Sequence, residues 1–497
     1  MAKKKSKKPA HKFSNKLLLN QWLISLFGIN PLQEYRMNGR KIRPFHLLTE
    51  LIKDPRMEGM GSDNMHKFYH NFVNSSLFWD ASCLVSKDLL QTYEQNIVRH
   101  TLAINRKRRR PVHWKYFQWL GLLFSEIYLD RYFNDQTGLL EELNRYVDIF
   151  NKHWPDFADI PPYTEDDLNK LCFQCATGSG KTLLMHANLL QYRHYAEQTG
   201  KSNKLSRIIL LTPNESLSEQ HLGELAESGI NAGFYLENRD GVFSAAKGLN
   251  RVDILEITKL ADQKGLNTVE TRELTEQNLL LVDEGHRGMS GTEEGAWLKR
   301  RAELCAKGFT FEYSATFEQA VTASKREDFE NSYAKTVIFD YSYRWFYEDG
   351  FGKDYQILNL PASFQQVRNL YLTACLLKSY QQLKIYQENR IDFHPFNIEK
   401  PLWVFVGSTV SKAKGSKLEK NVATDVAQII QFIADFAADP KSAKNHIVEI
   451  LTRSGQDTGL LDSDGNDIFH NAFSYLLKAF NPRGSIDALY RDIMGRL

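Results

Sequence analysis

Ala176-Thr177-Gly178-Ser179-Gly180-Lys181-Thr182 and Asp283-Glu284-Gly285-His286 are the two stretches whose residue types and spacing could do chemistry. In the first, Thr177, Gly178, Ser179 and Gly180 make a glycine-rich turn. Its backbone N–H groups can converge on a phosphate chain at the start of a helix. Lys181 would reach the β- and γ-phosphates, and the Thr182 hydroxyl would ligate Mg²⁺. In the second, adjacent carboxylates end an apolar run. One can hold a magnesium shell while its neighbour orients and deprotonates an attacking water. Together the two stretches point to hydrolysis of a nucleoside triphosphate, with loop and acidic dyad expected at adjoining strand tips.

Both stretches need strands to aim them. Apolar runs at Leu171–Cys175, Arg207–Leu211, Val252–Ile257, Asn278–Val282 and Phe309–Tyr313 read as buried strands, and Thr182–Glu197 and Leu217–Ser228 read as helices between them. Such alternation predicts a parallel, doubly wound α/β sheet that takes its ligand at the carboxyl ends of the strands. Before it, from Asn15 to about His153, the chain reads as helical. Trp114 to Phe133 is rich in aromatic and aliphatic residues at helical spacing beside the block Arg106-Lys107-Arg108-Arg109-Arg110. Base stacking is one use of such a pairing, but the spacing suits a core better. Trp154-Pro155 and Ile160-Pro161-Pro162 mark a boundary. A second α/β segment is expected from the apolar run Leu402–Val406 and a helix over Asp425–Ala438.

The totals bound the rest. A chain of 497 residues suits about three domains, and 63 Lys plus Arg against 60 Asp plus Glu leaves it nearly neutral. Charge is unevenly spread: lysines crowd the first dozen residues, which read as a disordered tail, and the arginine block is a second cluster. Both read as solvated, with a phosphate-binding patch as the alternative. Five scattered cysteines suit a reducing cytoplasm. Cys172 and Cys175 form a CxxC without a second pair or histidine cluster for zinc, so they read as buried strand residues. The basic start followed by Leu17–Phe27 mimics a signal peptide, but Asn20 and Gln21 interrupt it. No stretch approaches the about 18 uninterrupted apolar residues of a membrane span. The lone histidines His153 and His221 read as ordinary surface or core residues.

Three further segments narrow the chemistry. Thr212-Pro213-Asn214 through Gln220 ends the second strand and opens a helix, Thr258-Lys259-Leu260 follows the third, and Ser314-Ala315-Thr316 follows the fifth. In this order they resemble motifs Ia, Ib/Ic and III of superfamily 2 helicases, with Asp283–His286 as a DExH form of motif II. The wording Phe173–Gly178, Asp283–Arg287 and Tyr313–Phe317 resembles the helicase subunit of type III restriction enzymes and related bacterial defence helicases. Tyr343–Gly350, leading to Pro401–Thr409, is similar to that family's passage into a second lobe and motif IV. The resemblance implies an α/β fold: a RecA-like P-loop helicase lobe with a helical N-terminal domain and a partial second RecA-like lobe. The expected bounds are 1–14 for the tail, 15–160 for the helical domain, 161–345 for the first lobe and 346–497 for the start of the second.

Roles follow from the same resemblance. Lys181 and Thr182 take phosphate and Mg²⁺, Asp283 holds the metal's water shell, and Glu284 is the general base. His286, with Ser314 and Thr316, relays nucleotide state; Thr212, Asn214 and Thr258 bond backbone phosphates of a nucleic acid. Pro213–Leu217 departs from the usual PTxxL wording, so Asn214 stands where threonine is common, and no upstream Q-motif is found. Motifs V and VI are also missing: Arg453, Arg483, Arg491 and Arg496 lack the QxxGRxxR context, as expected of a fragment or split protein. The implied function is an ATP-dependent DNA helicase or translocase subunit of a bacterial restriction or anti-phage system, hydrolysing weakly alone. A nuclease or methyltransferase subunit is its expected partner. Two alternatives stand beside it: a nucleotide-binding assembly subunit and a DExH RNA helicase.

Overall fold

The computed structural model describes residues 12–496 apart from 38, 51, 79–81, 155–158, 236–249, 262–268, 271–273, 287–291, 354–367, 397, 406–424, 454–457, 463 and 481–483. Arg287, Arg483, residues 406–409 and most of the lysine-rich start therefore lie outside the described residues. The chain divides into two compact units, residues 1–353 and 354–497.

Seven strands make the central sheet of the first unit: β1 Lys170–Cys175, β2 Arg207–Thr212, β3 Ala232–Phe234, β4 Val252–Glu256, β5 Asn278–Asp283, β6 Phe309–Ser314 and β7 Val337–Tyr341. They lie in the order β7-β1-β6-β5-β2-β4-β3, all parallel. The inner strands are near-continuous apolar runs because helices cover both faces of a parallel sheet. Leu171, Leu210, Leu280 and Phe311 are all at most 1% exposed. A seven-stranded parallel sheet with flanking helices is the α/β architecture expected of a RecA-like lobe. Two strands were not among those expected from the sequence: β3, which has only three residues, and β7.

The N-terminal helices are not a body of their own. One continuous core runs from Leu18 to Tyr341, across the boundary expected near residue 160. Helices α1 (Leu18–Ser25), α2 (Lys87–Asn105), α3 (Tyr116–Asn134) and α4 (Gln136–His153) pack into the same unit as the sheet. Asn20, which interrupts the apolar run of α1, donates from Nδ2 to the Ile338 carbonyl of β7 at 2.9 Å. Helix α3 is apolar on nearly every side, as a helix buried all round must be. Phe117, Trp119, Leu123, Phe124 and Ile127 are at most 2% exposed, and Phe117 stacks on Tyr341 with ring centres 3.9 Å apart. The aromatic stretch is therefore core, not a stacking platform. Its neighbour Arg108 is turned inward against Glu224 and Glu227, while Arg106, Lys107, Arg109 and Arg110 stay exposed.

Helix α5 (Lys181–Gln198), which opens at the glycine loop, is fixed to α2 and α3 by buried polar groups. Glu126 accepts from Asn96, Gln191 and Tyr195 at 2.6–2.8 Å, and burial pushes its carboxyl up to about 7. Asn188 on α5 accepts from the Tyr313 hydroxyl of β6 at 2.8 Å. Such a satisfied network is costly to disturb, because each buried partner left alone carries its full desolvation penalty.

The second unit is helical among its described residues. Arg368–Glu388, Asp425–Ala438, Pro440–Arg453 and Ile486–Met494 contribute to a separate core that includes Leu377, Phe436, Ile447, Ile450 and Leu489. The strand expected at Leu402–Val406 is not formed over its described residues, 402–405. Leu402, Val404 and Phe405 are exposed, so no sheet covers that apolar run. The helix expected over Asp425–Ala438 is present with those bounds. Arg453, Arg491 and Arg496 each bond locally, to Glu449, the Asp487 carbonyl and Asp492. No described helix is long and apolar enough to cross a membrane.

Candidate nucleotide site

The glycine loop leaves the tip of β1 and is shaped from both sides. Ala176 N donates to the Tyr341 carbonyl of β7 at 2.9 Å, and Ser179 N donates back to Ala176 O at 3.1 Å. Gly178 and Gly180 have φ of +85° and +87°, where a side chain is strained. At Gly180 a Cβ would also collide with the Gln118 amide. Thr177 is exposed at the mouth, and Lys181 and Thr182 start α5, so the loop feeds a helix N-terminus as expected.

Gln118 is a support that sequence reasoning did not find. Its Oε1 accepts from Lys115 N at 2.8 Å, capping α3, while Nε2 donates to the Ser179 carbonyl at 2.7 Å. The Lys115-to-Gln118 spacing at a helix start was the available signal; its reach to the loop depends on tertiary packing alone. Ser179 Oγ is buried without a hydrogen-bond partner among the described residues. A buried hydroxyl left open in a glycine loop at a helix start fits an anion such as a phosphate.

The acidic turn leaves β5, and β6 lies between β1 and β5, so the two strand tips are not adjoining. The β6 neighbour is what brings Ser314 between them. Across that gap Lys181 Nζ stands 3.3 Å from Glu284 Oε1. Glu284 adopts φ +52°, a left-handed conformation that costs a non-glycine residue about 1 kcal/mol. Two bonds hold the turn there: Glu284 N donates to Asp283 Oδ1 at 3.0 Å, and Gly285 N donates to the Tyr313 carbonyl at 3.0 Å.

His286 Nδ1 lies 2.7 Å from Ser314 Oγ and 3.3 Å from Glu284 Oε2. Ser314 Oγ also accepts from Thr316 N at 3.0 Å. The structure thus gathers Lys181, Glu284, His286, Ser314 and Thr316 into one chain of polar contacts. His286, and then Lys181, hold the Glu284 carboxyl below its usual range despite partial burial. An ionised carboxylate 3.3 Å from the lysine can serve as a base once the lysine is drawn to a phosphate.

Two more residues support the acidic turn. Arg301, on α7 (Thr292–Leu304), donates from Nη1 to the Gly285 carbonyl at 2.9 Å and pairs through Nη2 with Glu312 at 3.3 Å. Glu312 also meets Lys170 and the Tyr333 hydroxyl. Burial raises the Glu312 carboxyl, but Arg301 and then Lys170 outweigh it and hold it below the usual range. His221, on α6 (Glu215–Glu227), is neither a surface residue nor a bystander in the core: its Nε2 lies 3.0 Å from Asp283 Oδ2. Nothing local in the sequence marks either contact.

The residues expected to meet nucleic acid divide. Thr212 is 1% exposed and its hydroxyl sits 2.6 Å from Ser218 Oγ, which corrects its reading as a phosphate contact: it is an internal tie between β2 and α6. Asn214 is exposed and caps α6, accepting from Leu217 N at 3.0 Å. Thr258 is exposed on the short turn after β4. Cys172 and Cys175 are buried free thiols on β1, each pushed up to about 12 by burial.

Residues 133–319 match the family model described as type III restriction enzyme, res subunit. The matched segment runs from the end of α3 to Gln319, and so contains both the glycine loop and the acidic turn. Over this segment the chain is similar to that subunit. A search of curated proteins finds no match to the chain.

Proposed function

We propose that this chain is an ATP-dependent DNA helicase or translocase subunit of a bacterial restriction or anti-phage system. The observation that carries the reading is the 3.3 Å contact between Lys181, the expected phosphate-loop lysine, and Glu284, the candidate base. The family match over the same residues supports the helicase-type ATPase.

In this reading the loop N–H groups and Lys181 bind the triphosphate and orient its terminal phosphorus. Thr182 and Asp283 would hold Mg²⁺, which when bound neutralises charge developing on the phosphate oxygens. Glu284, released from Lys181, positions the attacking water and takes its proton at a carboxylate oxygen. His286 is joined to Ser314, so a shift of Glu284 is felt at the segment Ser314–Thr316. DNA would lie across the exposed turns at Asn214 and Thr258. In this reading the chain alone hydrolyses weakly, and its partner is a nuclease or methyltransferase subunit. Cytoplasmic placement rests on the sparse, unpaired cysteines.

Phosphate release with and without DNA, in the wild type and in Glu284→Gln, tests this. DNA-stimulated turnover lost in the variant supports a motor; equal rates in the two proteins indicate a subunit that uses nucleotide only for assembly. Competition between matched DNA and RNA strands separates the RNA helicase, for which a 2′-hydroxyl preference would persist at high salt.

A further inference from the structure

The metal-holding carboxylate is gripped from a direction that the helicase motifs do not predict. Asp283 stands at the carboxyl tip of β5, and each of its two oxygens is already engaged. Oδ1 accepts from Glu284 N at 3.0 Å; Oδ2 accepts from His221 Nε2 at 3.0 Å. The first bond comes from the adjacent residue and moves with the turn. The second comes from α6, two strands' worth of chain away, and fixes the carboxylate to the body of the lobe. The two side chains are 4% and 12% exposed, so water competes poorly for this contact.

His221 itself is held. Its helix is tied to β2 through Ser218 and Thr212, and to the N-terminal region through Glu224, Glu227 and Arg108. His221 Nδ1 is buried with no hydrogen-bond partner among the described residues, so the contact with Asp283 is the polar contact the ring makes there. A carboxylate oxygen carries two lone pairs, so Oδ1 and Oδ2 each keep one for a metal or its water shell.

We propose that His221 is a positioning residue that orients Asp283 for Mg²⁺ and so sets the metal affinity of the nucleotide site. The proposal rests on the reading that Asp283 serves the metal. A carboxylate free to rotate must be ordered when metal arrives; one already bonded on its second oxygen is not. Outer partners of metal ligands commonly contribute about 10- to 100-fold in affinity.

The test is ATP binding by calorimetry on the full chain at a series of free Mg²⁺ concentrations, with a chelator arm. In the wild type, binding tightens as Mg²⁺ rises. In His221→Leu and His221→Asn the half-point is expected to move up by about tenfold, while affinity in chelator is unchanged. His221→Gln, whose amide N–H can reach the Nε2 position, restores the wild-type half-point. A purely structural histidine would lower the melting temperature in all three variants and leave the half-point alone; that result overturns the proposal. So does a Gln variant as displaced as Leu. If wild-type binding ignores Mg²⁺ altogether, both the metal role of Asp283 and the role of His221 fall. If it follows Mg²⁺ normally in every His221 variant, only the latter does.

Discussion

The carboxyl edge of the sheet has two halves built on different principles. At the tips of β1, β6 and β5 the motif side chains face one another: Lys181 meets Glu284, Glu284 meets His286, and His286 meets Ser314. At the tips of β2 and β4 the motif side chains turn away from any common focus. Thr212 faces inward to Ser218, Asn214 caps its own helix, and Thr258 stands exposed alone. Under the proposed function the difference follows from the ligand. A triphosphate is small and needs convergent groups in a partly dry pocket, whereas a nucleic-acid backbone is long and needs a row of N–H groups and caps along an edge. One half is a site already in the folded chain; the other is scaffolding on which a strand could lie.

The largest effect should separate the halves by chemistry. Glu284→Gln keeps the shape of the turn but removes a carboxylate that can accept a proton. DNA-stimulated phosphate release should fall about a thousandfold, with ATP affinity retained. Equal loss of affinity and turnover would mean that Glu284 acts by holding Lys181 and not as a base. Next comes the support beneath the turn. Arg301→Leu leaves Glu312 with Lys170 and the Tyr333 hydroxyl and strips the Gly285 carbonyl. Urea unfolding should show a loss of about 3 kcal/mol, as when one member of a buried ion pair is removed. A loss confined to activity would show that Arg301 aims the turn without stabilising the lobe.

Lys181→Ala should weaken ATP binding about a hundredfold, the value of one good charge-assisted contact. It also bears on pH. Glu284 is held below its ordinary 4.5 by His286 first and by Lys181. A depressed carboxyl contributes stability above the unfolded value and loses it as pH falls through the folded one. Hydrolysis should therefore stay level from about pH 5 to neutrality, and its acid limb should rise toward the ordinary value in His286→Ala. An acid limb unmoved by both substitutions would show that neither partner tunes this carboxyl.

Which parts were legible follows from how far each constraint reaches. Gly178 and Gly180 could be read because the backbone itself demands glycine there, and Asp283–His286 because its chemistry needs adjacent residues at a strand end. His221 and Arg301 could not, since each meets the site only through the register of separate elements. The strand Val337–Tyr341 was not among the expected strands, although all five of its residues are buried. Leu402–Val406 misled in the opposite direction: an apolar run suits a strand, yet Leu402, Val404 and Phe405 are exposed and no strand forms over the described residues. Apolar residues alone do not say what will cover them. The helical start was legible as helix, but its merger with the sheet was not, because contacts such as Asn20 to Ile338 join residues 318 apart.

The smallest effects give the sharpest test of the second half of the edge. Thr212→Val removes a hydroxyl that is buried against Ser218, so the loss should appear as stability, about 1 kcal/mol, with DNA affinity unchanged. Thr258→Ala removes an exposed hydroxyl on a surface turn, so stability should move by only about 0.5 kcal/mol. Its DNA affinity should instead fall modestly and equally for all sequences, since a contact to the backbone carries no base information. Urea unfolding and DNA titration on the same two variants give four numbers. If Thr212→Val weakened DNA binding while the fold stayed intact, the β2 tip must open on binding, and this half of the edge would be a site assembled by its ligand. If Thr258→Ala left DNA affinity untouched, the strand would have to run elsewhere, and the exposed turn after β4 would be only a connection.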